Sequence, residues 1–307
     1  QAHDFILLEM YLVTSSRVAS CFIDALLAAA ARGTKIYVIF DDFGAHGLNK
    51  QDRRRLQNNN ISLVFFNTLR YRQALRYLFR NHRKLLVIDG QVAFVGGAGL
   101  TDDFSPQDPN IKAWRETMLE IRGPIVDDWA IAFTQTWQQQ THTELELSTT
   151  PATICGNQKG RVAVSPYYGQ REIRRALVNN VRRAQNRVWI ASAYFVPSRK
   201  IRRALRFAAR RGIDVRLILP GPHIDLPAVR YVAHRFYLRL LISGVRIYEY
   251  QPCFIHHKIA LCDNWVSIGS ANLDRWNFHW NLEANQEIED KTTACEVLHM
   301  FQQDMKQ

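Results

Sequence analysis

The fold is decided by the segment His82-Arg-Lys84-Leu-Leu-Val-Ile-Asp89, which is followed by Val95-Gly96-Gly97-Ala98-Gly99. The second half of the chain repeats it as His256-His-Lys258-Ile-Ala-Leu-Cys-Asp263, followed by Ile268-Gly269-Ser270-Ala271-Asn272. Each copy joins a basic pair to an apolar, strand-like run and then to a glycine-containing turn. Self-similarity on this scale predicts an internal duplication.

Similar elements precede both copies. The first half has a strand-like run at 5–13, a helix-like stretch at 18–31, and strands at 35–40 and 61–66. The second half has the corresponding patterns at 188–196, 201–211, 214–219 and 245–250. Both helix-like stretches end at Arg-Gly, where glycine can take the left-handed cap conformation. This alternation predicts an α/β fold of two tandem lobes, each a mixed β-sheet flanked by helices.

The two lobes are predicted to be related by a pseudo-two-fold axis, with the active site between them. We predict lobes at 1–145 and 160–307. The connection at 146–159 lacks periodicity and carries turn-forming residues, so it is predicted to be a linker.

Composition narrows the class of protein. The 307 residues are 47% hydrophobic and 22% charged, which is typical of a folded globular chain. A formal net charge of +12 favours anionic partners. The longest apolar run, Ala25 to Ala31, is far shorter than the about 20 residues that a membrane span needs. Five scattered cysteines argue against a disulfide framework and favour a reducing compartment.

The repeated segment carries groups suited to phosphoryl chemistry. Residues two apart in a strand share a face, so His82 projects with Lys84, and His256 with Lys258. A neutral imidazole can attack phosphorus, and an opposing imidazolium can protonate the leaving oxygen. The lysines can stabilise charge on the phosphoryl oxygens.

The turns after the motifs add donors for a substrate phosphate. The predicted phosphate-binding residues are Gly97, Ser270 and Asn272. Each imidazole also needs a carboxylate to fix its tautomer. Glu116 and Glu283 occupy comparable places in the two halves and are the candidates.

The doubled motif resembles the phospholipase D superfamily, and within it the chain is most similar to bacterial cardiolipin synthases. The resemblance covers nearly the whole chain and is carried by the following runs: Trp114–Glu116, Arg122–Pro124, Ala193–Pro197, Gly244–Lys258, Gly269–Asp274 and Asn281–Glu283. It implies a ping-pong reaction through a phosphohistidine, without a metal ion or cofactor.

The resemblance also implies roles for individual residues. His82 is expected to be the nucleophile and His256 the acid/base, with the reverse assignment open. Glu283 is expected near His82, and Glu116 near His256. Asp89 and Asp263 complete the catalytic motifs and are expected to orient loops rather than touch substrate.

Two departures from the family pattern matter. The first half reads Gly96-Gly-Ala-Gly99, without the usual final asparagine, so phosphate binding is expected to depend more on Ser270 and Asn272. The usual transmembrane N-terminus is also absent, and the chain starts at Gln1. We expect either a trimmed product or peripheral attachment, at the cytoplasmic side of a bacterial inner membrane.

Other features of the sequence have simpler interpretations. His257 points to the opposite strand face and is predicted to be structural. Cys253, His256, His257 and Cys262 match no usual zinc spacing, so no metal site is predicted. An amphipathic helix is predicted at 224–241, either packed on a lobe or lying on anionic lipid. The basic stretch at 70–83 also has helical spacing, and either attracts lipid headgroups or is an ordinary solvated face.

Three functions remain from the sequence. The leading one is a phosphatidyltransferase of the cardiolipin synthase type, which joins two phosphatidylglycerols at a membrane surface and releases glycerol. A hydrolytic or transphosphatidylating phospholipase D is the near alternative. A nuclease suits the positive charge but is disfavoured, because single-strand binders interleave aromatic residues along a strand face and this chain does not. The oligomeric state is open.

Overall fold

The chain divides into two compact units. A computed structural model describes residues 2–68, 78–147, 152–165, 172–274 and 280–307. The first unit comprises Gln1–Gln107, Met118–Asn157 and Trp280–Leu282. The second comprises Asp108–Thr117, Gln158–His279 and Glu283–Gln307.

The described part of the first unit contains seven strands, of which all but the fourth form a six-stranded mixed sheet, together with helices. Its strands are β1 Phe5–Met10, β2 Lys35–Asp41, β3 Ile61–Phe66, β4 Arg80–Asn81, β5 Lys84–Ile88, β6 Val92–Gly96 and β7 Met118–Arg122. Its helices are α1 Arg17–Ala31, α2 Lys50–Gln57 and α3 Ile125–Thr141. The sheet order is β3-β2-β1-β5-β6-β7. Strands β1 to β3 are parallel, whereas β5, β6 and β7 each run antiparallel to the preceding neighbour in that order.

The second unit repeats this design. Its strands are β8 Lys159–Ser165, β9 Arg187–Ser192, β10 Phe195–Val196, β11 Asp214–Pro220, β12 Arg246–Tyr250, β13 Lys258–Cys262, β14 Trp265–Gly269, β15 Leu273–Asp274 and β16 Asn281–Glu289. Its helices are α4 Glu172–Arg183, α5 Arg199–Arg210, α6 Pro227–Leu241 and α7 Lys291–Asp304. The main sheet runs β12-β11-β9-β13-β14-β16, and β8 pairs antiparallel with β16.

The two sheets match strand for strand. In each, a central strand (β1 or β9) has a parallel neighbour on one side and the motif strand (β5 or β13) antiparallel on the other. The central strands are buried along almost their whole length, which explains their nearly continuous apolar sequence. The predicted duplication and α/β fold class are confirmed.

The helix ends also follow the predicted pattern. Gly33 and Gly212 have φ of +92° and +86°, the left-handed conformation that ends a helix. Among the described residues, no helix is both long enough and apolar enough to cross a bilayer.

Two predicted elements were wrong in extent. The strands predicted at 5–13 and 188–196 end at Met10 and Ser192. In the first unit the chain leaves the sheet because Val13 bridges to Leu100 instead. In the second, the Ser192 hydroxyl donates to the Tyr194 carbonyl (2.9 Å), and the chain turns into β10.

A helix was predicted at 70–83. Residues 70–77 lie outside the described residues, and for residues 80–81 the prediction is wrong. Arg80 and Asn81 form β4, which pairs in parallel with Asn281 and Leu282 of the first unit. The Asn81 amide donates to the buried Asp41 carboxylate at 2.8 Å, which holds this segment extended. The amphipathic helix begins at Pro227 rather than 224.

The predicted linker stays a prediction. Residues 152–158 contain no helix or strand, and β8 begins at Lys159. The described part of the stretch is therefore irregular, whereas residues 148–151 lie outside the described residues.

The aspartates of the two motifs act as caps of the central strands. Asp89 accepts hydrogen bonds from the amides of residues 3, 4 and 5, and Asp263 from those of residues 185, 186 and 187, at 2.7–3.0 Å. Both residues have positive φ, +52° and +51°. Each aspartate directly follows the motif strand, five residues after the lysine that begins it. At about 3.3 Å per residue, the aspartate lies about 16 Å from that lysine along the strand. Neither carboxylate can contact a phosphate held at that lysine, so both have positioning roles.

The cap predicts a pH-dependent contribution to stability. Burial raises the pKa of Asp263, but the three backbone N–H groups outweigh it and lower the pKa below 3.8. The stabilisation is therefore complete above the ordinary pKa and is lost as pH falls through the lower, folded-state value. Asp263→Ala should lower the free energy of unfolding at pH 7 by about 2 kcal/mol, since alanine removes the acceptor and is strained at positive φ.

Urea unfolding at several pH values measures this contribution. Asp263→Asn should cost less than alanine, because asparagine keeps one acceptor oxygen and tolerates positive φ. The matched Asp89→Asn variant reports on the same cap in the first unit. An Asp263→Ala protein as stable as wild type would show that the cap contributes nothing.

Candidate active site

Glu116 is placed against His256 by a short parallel bridge. Arg115 pairs with Ile255 outside the main strands. The Arg115 amide donates to the Phe254 carbonyl, and the His256 amide donates to the Arg115 carbonyl, both at 2.8 Å. The next residue, Glu116, then lies with Oε2 2.6 Å from His256 Nδ1. This is the pairing that the resemblance implied for His256.

Lys258 completes this group. Its Nζ donates to Glu116 Oε2 at 3.2 Å and also to the His256 carbonyl oxygen. The ammonium lies 2.9 Å from His256 Nδ1 and 3.2 Å from Nε2. One carboxylate oxygen therefore contacts both basic residues of the motif.

These contacts select one tautomer of His256. An ionised carboxylate can only accept hydrogen bonds, so the Nδ1–H must donate to Glu116. Nδ1 then has no lone pair for the ammonium, whose protons are directed to the carboxylate and the backbone carbonyl. Nε2 then carries the lone pair of the ring, 3.2 Å from the Lys258 ammonium, and is the nitrogen that can take up a proton.

Electrostatics keep Glu116 ionised. Burial raises the pKa of Glu116, but the Lys258 charge and the hydrogen bonds from His256 and His257 outweigh it, so the pKa lies well below 4.5. Burial also lowers the pKa of Lys258, against the attraction of Glu116 and, more weakly, of Glu283 and Asp225. The ionised Glu116 carboxylate can therefore stabilise the positive charge of an imidazolium at His256.

Aromatic rings surround the His256 imidazole. Trp114 and Phe254 lie 5.3 Å and 5.4 Å from it between ring centroids, and 4.9 Å from each other. Such neighbours restrict the ring's rotation and lower the local dielectric constant. Neither ring was predicted to be a site residue, although Trp114 stands two residues before Glu116 and Phe254 two residues before His256.

His257 belongs to a second layer of contacts behind the site. It is fully buried, and its Nδ1 lies 3.1 Å from the Thr117 hydroxyl. On the other side, Nε2 lies 3.4 Å from Asp304, which accepts from Arg115 at 3.0 Å. These contacts fix residues 115–117 on both sides of Glu116, in agreement with the structural role predicted for His257.

In the first unit, His82 and Lys84 form the corresponding pair. Lys84 Nζ donates to the His82 carbonyl at 2.7 Å and lies 5.1 Å above the Tyr11 ring. Tyr11 meets the His82 ring edge-on at 4.6 Å, and the His82 amide donates to the Leu282 carbonyl at 3.0 Å. In both motifs the strand begins at the lysine, and the histidine precedes it. The prediction that histidine and lysine both lie in the strand was therefore wrong. The two residues are nevertheless in contact, because each lysine donates to the carbonyl of its histidine.

A buried polar network supports His82 from behind. The neighbouring Asn81 donates to Glu9 at 2.5 Å, and Arg83 lies 3.8 Å from the same carboxylate. Burial raises the pKa of Glu9 against these partners. Burial likewise raises the pKa of Asp41 to about 6, although Arg80 lies 3.4 Å away and lowers it.

The turn after β14 contains an unsatisfied side chain. Ser270 is already engaged, because its hydroxyl donates to the Ala284 carbonyl (3.3 Å) and accepts from the Ala284 amide (3.1 Å). Asn272 is fully buried, and neither side-chain atom has a hydrogen-bond partner in the described part of the chain. The next residue, Leu273, donates to Ser192, the sheet partner of Lys258. The unsatisfied amide therefore lies at the lysine end of the sheet.

The first unit explains why its turn lacks this asparagine. At Gly99, which matches Asn272, a Cβ would lie 2.7 Å from the Leu12 carbonyl oxygen. That carbonyl accepts from the Leu100 amide at 2.8 Å, so the backbone cannot retreat without breaking the bond. Gly97, the other predicted phosphate contact, is buried directly after β6.

Other predicted site residues are placed as follows. Glu283 is fully buried in β16, opposite Ser165, and its pairing with His82 stays a prediction. Cys262 is buried, and Cys253 is partly buried. The described residues contain no group of three potential ligands arranged to hold a metal ion.

Comparison with known proteins identifies the family. The family model described as "Cardiolipin synthase, PLD-like domain" matches residues 1–137 and 177–305. The chain belongs to this family. Cardiolipin synthase A of Pseudomonas putida is 32% identical over 311 residues, which are 100% of this chain and 64% of that protein. The probable cardiolipin synthase YwiE of Bacillus subtilis is 30% identical over 314 residues, covering 100% and 62%.

Two solved structures share the fold. Phosphatidylserine synthase of Haemophilus influenzae superposes with a TM-score of 0.71 at 13% identity, covering 100% of this chain and 81% of that one. Polyphosphate kinase of Porphyromonas gingivalis gives 0.65 at 17% identity, with 98% and 42% covered. The predicted membership of the phospholipase D superfamily is confirmed, and the fold is two phospholipase D-like lobes. The chain spans less than two thirds of the length of the curated relatives it matches.

Asn272 provides a test of the site that separates function from folding. Removing a buried amide that has no partner should change the free energy of unfolding by less than about 1 kcal/mol, because no hydrogen bond is lost. Inorganic phosphate should raise the midpoint of thermal unfolding of the wild type, and Asn272→Ala should lose that shift.

Asn285→Ala is the matched control. The Asn285 side chain accepts from the Ala271 amide and donates to Ser267, so its removal should cost about 1–3 kcal/mol. An Asn272→Ala protein that is as destabilised as Asn285→Ala, yet still shifted by phosphate, would contradict a ligand-binding role.

Proposed function

We propose that the chain is a phosphatidyltransferase that makes cardiolipin and glycerol from two molecules of phosphatidylglycerol. The observation that carries the proposal is the contact of the buried Glu116 carboxylate with both His256 and Lys258. A carboxylate–imidazole–ammonium group can move a proton at a phosphodiester through Nε2 of the imidazole. Membership of the cardiolipin synthase family supports the choice of substrate.

The first half-reaction forms a phosphohistidine. We assign the nucleophile to His82, whose imidazole nitrogen attacks the phosphorus of phosphatidylglycerol. The bond between phosphorus and the glycerol oxygen breaks, and protonated His256 gives its proton to that oxygen. Glycerol leaves, and the phosphatidyl group stays bonded to His82.

The second half-reaction transfers the phosphatidyl group. Neutral His256 takes the proton from a hydroxyl of the second phosphatidylglycerol, whose oxygen attacks phosphorus. The phosphorus–nitrogen bond breaks, and cardiolipin is released. Glu116 stabilises the imidazolium that forms on His256, as the carboxylate of a catalytic triad does.

The remaining groups stabilise charge on the phosphoryl oxygens. We assign this to Lys84 and Lys258, with Asn272 donating its amide protons and Gly97 and Ser270 contributing through the turns. Glu283 is proposed to orient His82. The assignment needs no metal ion or cofactor, because the cations and donors are side chains of this chain.

The proposed setting follows from the substrate. Two diacyl lipids require the enzyme to work at a membrane surface, which we place at the cytoplasmic side of the bacterial inner membrane. The lobe limits 1–145 and 160–307, with a linker at 146–159, are kept as part of the proposal.

The activity is testable with purified protein and phosphatidylglycerol in detergent micelles. Cardiolipin and glycerol should form in equal amounts, and EDTA should not inhibit. His82→Ala and His256→Ala should each lower turnover by at least about 1000-fold, because each removes a covalent or proton-transfer partner. Mass spectrometry of the lipid products measures all three outcomes.

A denaturing quench at mildly alkaline pH, which preserves a phosphorus–nitrogen bond, separates the roles of the two histidines. With phosphate-labelled substrate, His256→Ala should retain label on the protein, whereas His82→Ala should not. Phosphatidic acid as the main product would identify a hydrolase. Cleavage of DNA with lipid untouched would contradict the proposal, as would full activity in either variant.

A further inference from the structure

Helix α5 carries a row of arginines on one face. They are Arg199, Arg202, Arg203, Arg206 and Arg210. The spacing i, i+3, i+4, i+7 and i+11 places them side by side, while Ile201, Ala204, Leu205 and Ala208 on the opposite face are buried in the core. Like charges at this spacing repel each other, so the row lowers helix stability unless an anion lies against it.

The row forms one wall of a groove beside α6. The groove has a volume of about 910 Å³, and Arg182 and Arg239 add to its lining. None of the described residues that line it is acidic. In the described part of the chain, Arg182, Arg199, Arg203, Arg210 and Arg239 have no carboxylate within 4.0 Å. These five arginines therefore give the groove a cationic surface that no carboxylate of the described chain neutralises.

Two of the arginines are held in place. Arg206 donates from Nε to the Ser243 hydroxyl at 3.0 Å, and that hydroxyl donates to the Arg239 carbonyl at 2.9 Å. The Arg202 guanidinium lies 4.6 Å above the Phe236 ring. Guanidinium groups fixed in this way bind phosphate oxygens through paired N–H donors, at a smaller loss of side-chain entropy.

Exposed apolar side chains lie beside the cationic groove. Six of the thirteen large apolar side chains that are exposed in the described residues fall between Phe207 and Ile242. Phe207 lines the groove itself. Leu238 on α6 and Ile242, the C-cap residue of α6, are 67% and 75% exposed and lie on either side of Arg239 in the sequence. The buried face of α6 packs on the core through Ala233 and Leu240, so this outer apolar face has no partner within the described chain.

We propose that this groove and the outer face of α6 dock the protein on a bilayer that contains anionic phospholipid. The arginines bind lipid phosphates, and Leu238, Ile242 and Phe207 enter the boundary between headgroups and acyl chains. The highly exposed Leu238 and Ile242 favour a lipid surface over nucleic acid, because aliphatic side chains enter an acyl layer but do not stack on bases as aromatic rings do. The inference rests on the proposed function for its lipid setting, and it assigns that setting to residues outside the catalytic motifs.

Vesicle co-sedimentation tests the docking surface. The probe is a vesicle of phosphatidylcholine with phosphatidylserine, which is not the proposed substrate, compared with phosphatidylcholine alone. Wild-type protein should bind only the anionic vesicles. The triple variant Arg199→Glu, Arg203→Glu, Arg210→Glu should bind on the order of 100-fold more weakly, since each cation near the surface contributes about fivefold or more.

A charge-matched control separates the effect of the groove on vesicle binding from the effect of net charge. Lys50→Glu, Lys291→Glu and Lys306→Glu together change the charge equally at exposed sites outside the groove. This control should bind within about threefold of wild type. Replacing the same three arginines by glutamine should weaken vesicle binding while leaving the thermal midpoint unchanged or higher, because repulsion along α5 is relieved.

The apolar half of the surface has its own variant. Leu238→Ser with Ile242→Ser should weaken vesicle binding at least about tenfold and leave binding of duplex DNA unchanged. Vesicle binding that is equal in wild type and the arginine variant would overturn the proposal. Loss of DNA binding alone would identify a nucleic-acid site, and release from vesicles by millimolar inorganic phosphate would identify a small-anion site.

Turnover of phosphatidylglycerol in detergent micelles keeps the two proposals apart. The groove variants should retain it, because no groove residue belongs to the catalytic machinery. A wild-type protein that docks through the groove but makes no cardiolipin would refute the proposed function alone.

Discussion

A single buried carboxylate organises the site in the second unit. Glu116 accepts from an imidazole and an ammonium at once, and the Lys258 charge together with the hydrogen bonds from His256 and His257 outweighs the cost of its burial. Removing it would leave Lys258 buried with its nearest counter-charge gone and would free the His256 ring to change tautomer. Residues 115–117 are held from behind by Arg115, Asp304 and His257, so the position of the carboxylate is fixed by the backbone as well as by its partners.

The duplication supplies the same sheet twice but does not supply the same site twice. The aspartate caps are equivalent in both units, down to three backbone amides and a positive φ. The turns after β6 and β14 have diverged. Asn272 is buried without a partner in the described part of the chain, whereas a side chain at Gly99 would collide with the Leu12 carbonyl. An unsatisfied buried amide costs free energy in the empty protein, and such costs are concentrated where a ligand later satisfies them.

The sequence predicted the duplicated α/β lobe and the glycines that end its helices, because these leave local patterns, and the family resemblance implied the pairing of Glu116 with His256. It could not predict where the motif strands begin. The apolar run starts only after each lysine, so the pattern does not show whether the histidine lies inside the strand or before it. Asp89 and Asp263 complete the motifs in sequence and were expected to orient loops. The five residues of each motif strand separate the aspartate from the lysine, and the aspartate caps a central strand instead. The arginine groove was missed because it needs α5, α6 and Arg182 together, and the row on α5 alone resembles a solvated helix face.

The most direct test of this account is the tautomer of His256, measured by the ¹⁵N chemical shifts of its imidazole in labelled protein at neutral pH. The account predicts a proton on Nδ1 and none on Nε2, and loss of that preference when Glu116 is replaced by glutamine. A ring protonated on Nε2 in the wild type, or one unaffected by Glu116→Gln, would contradict the central role given to the carboxylate.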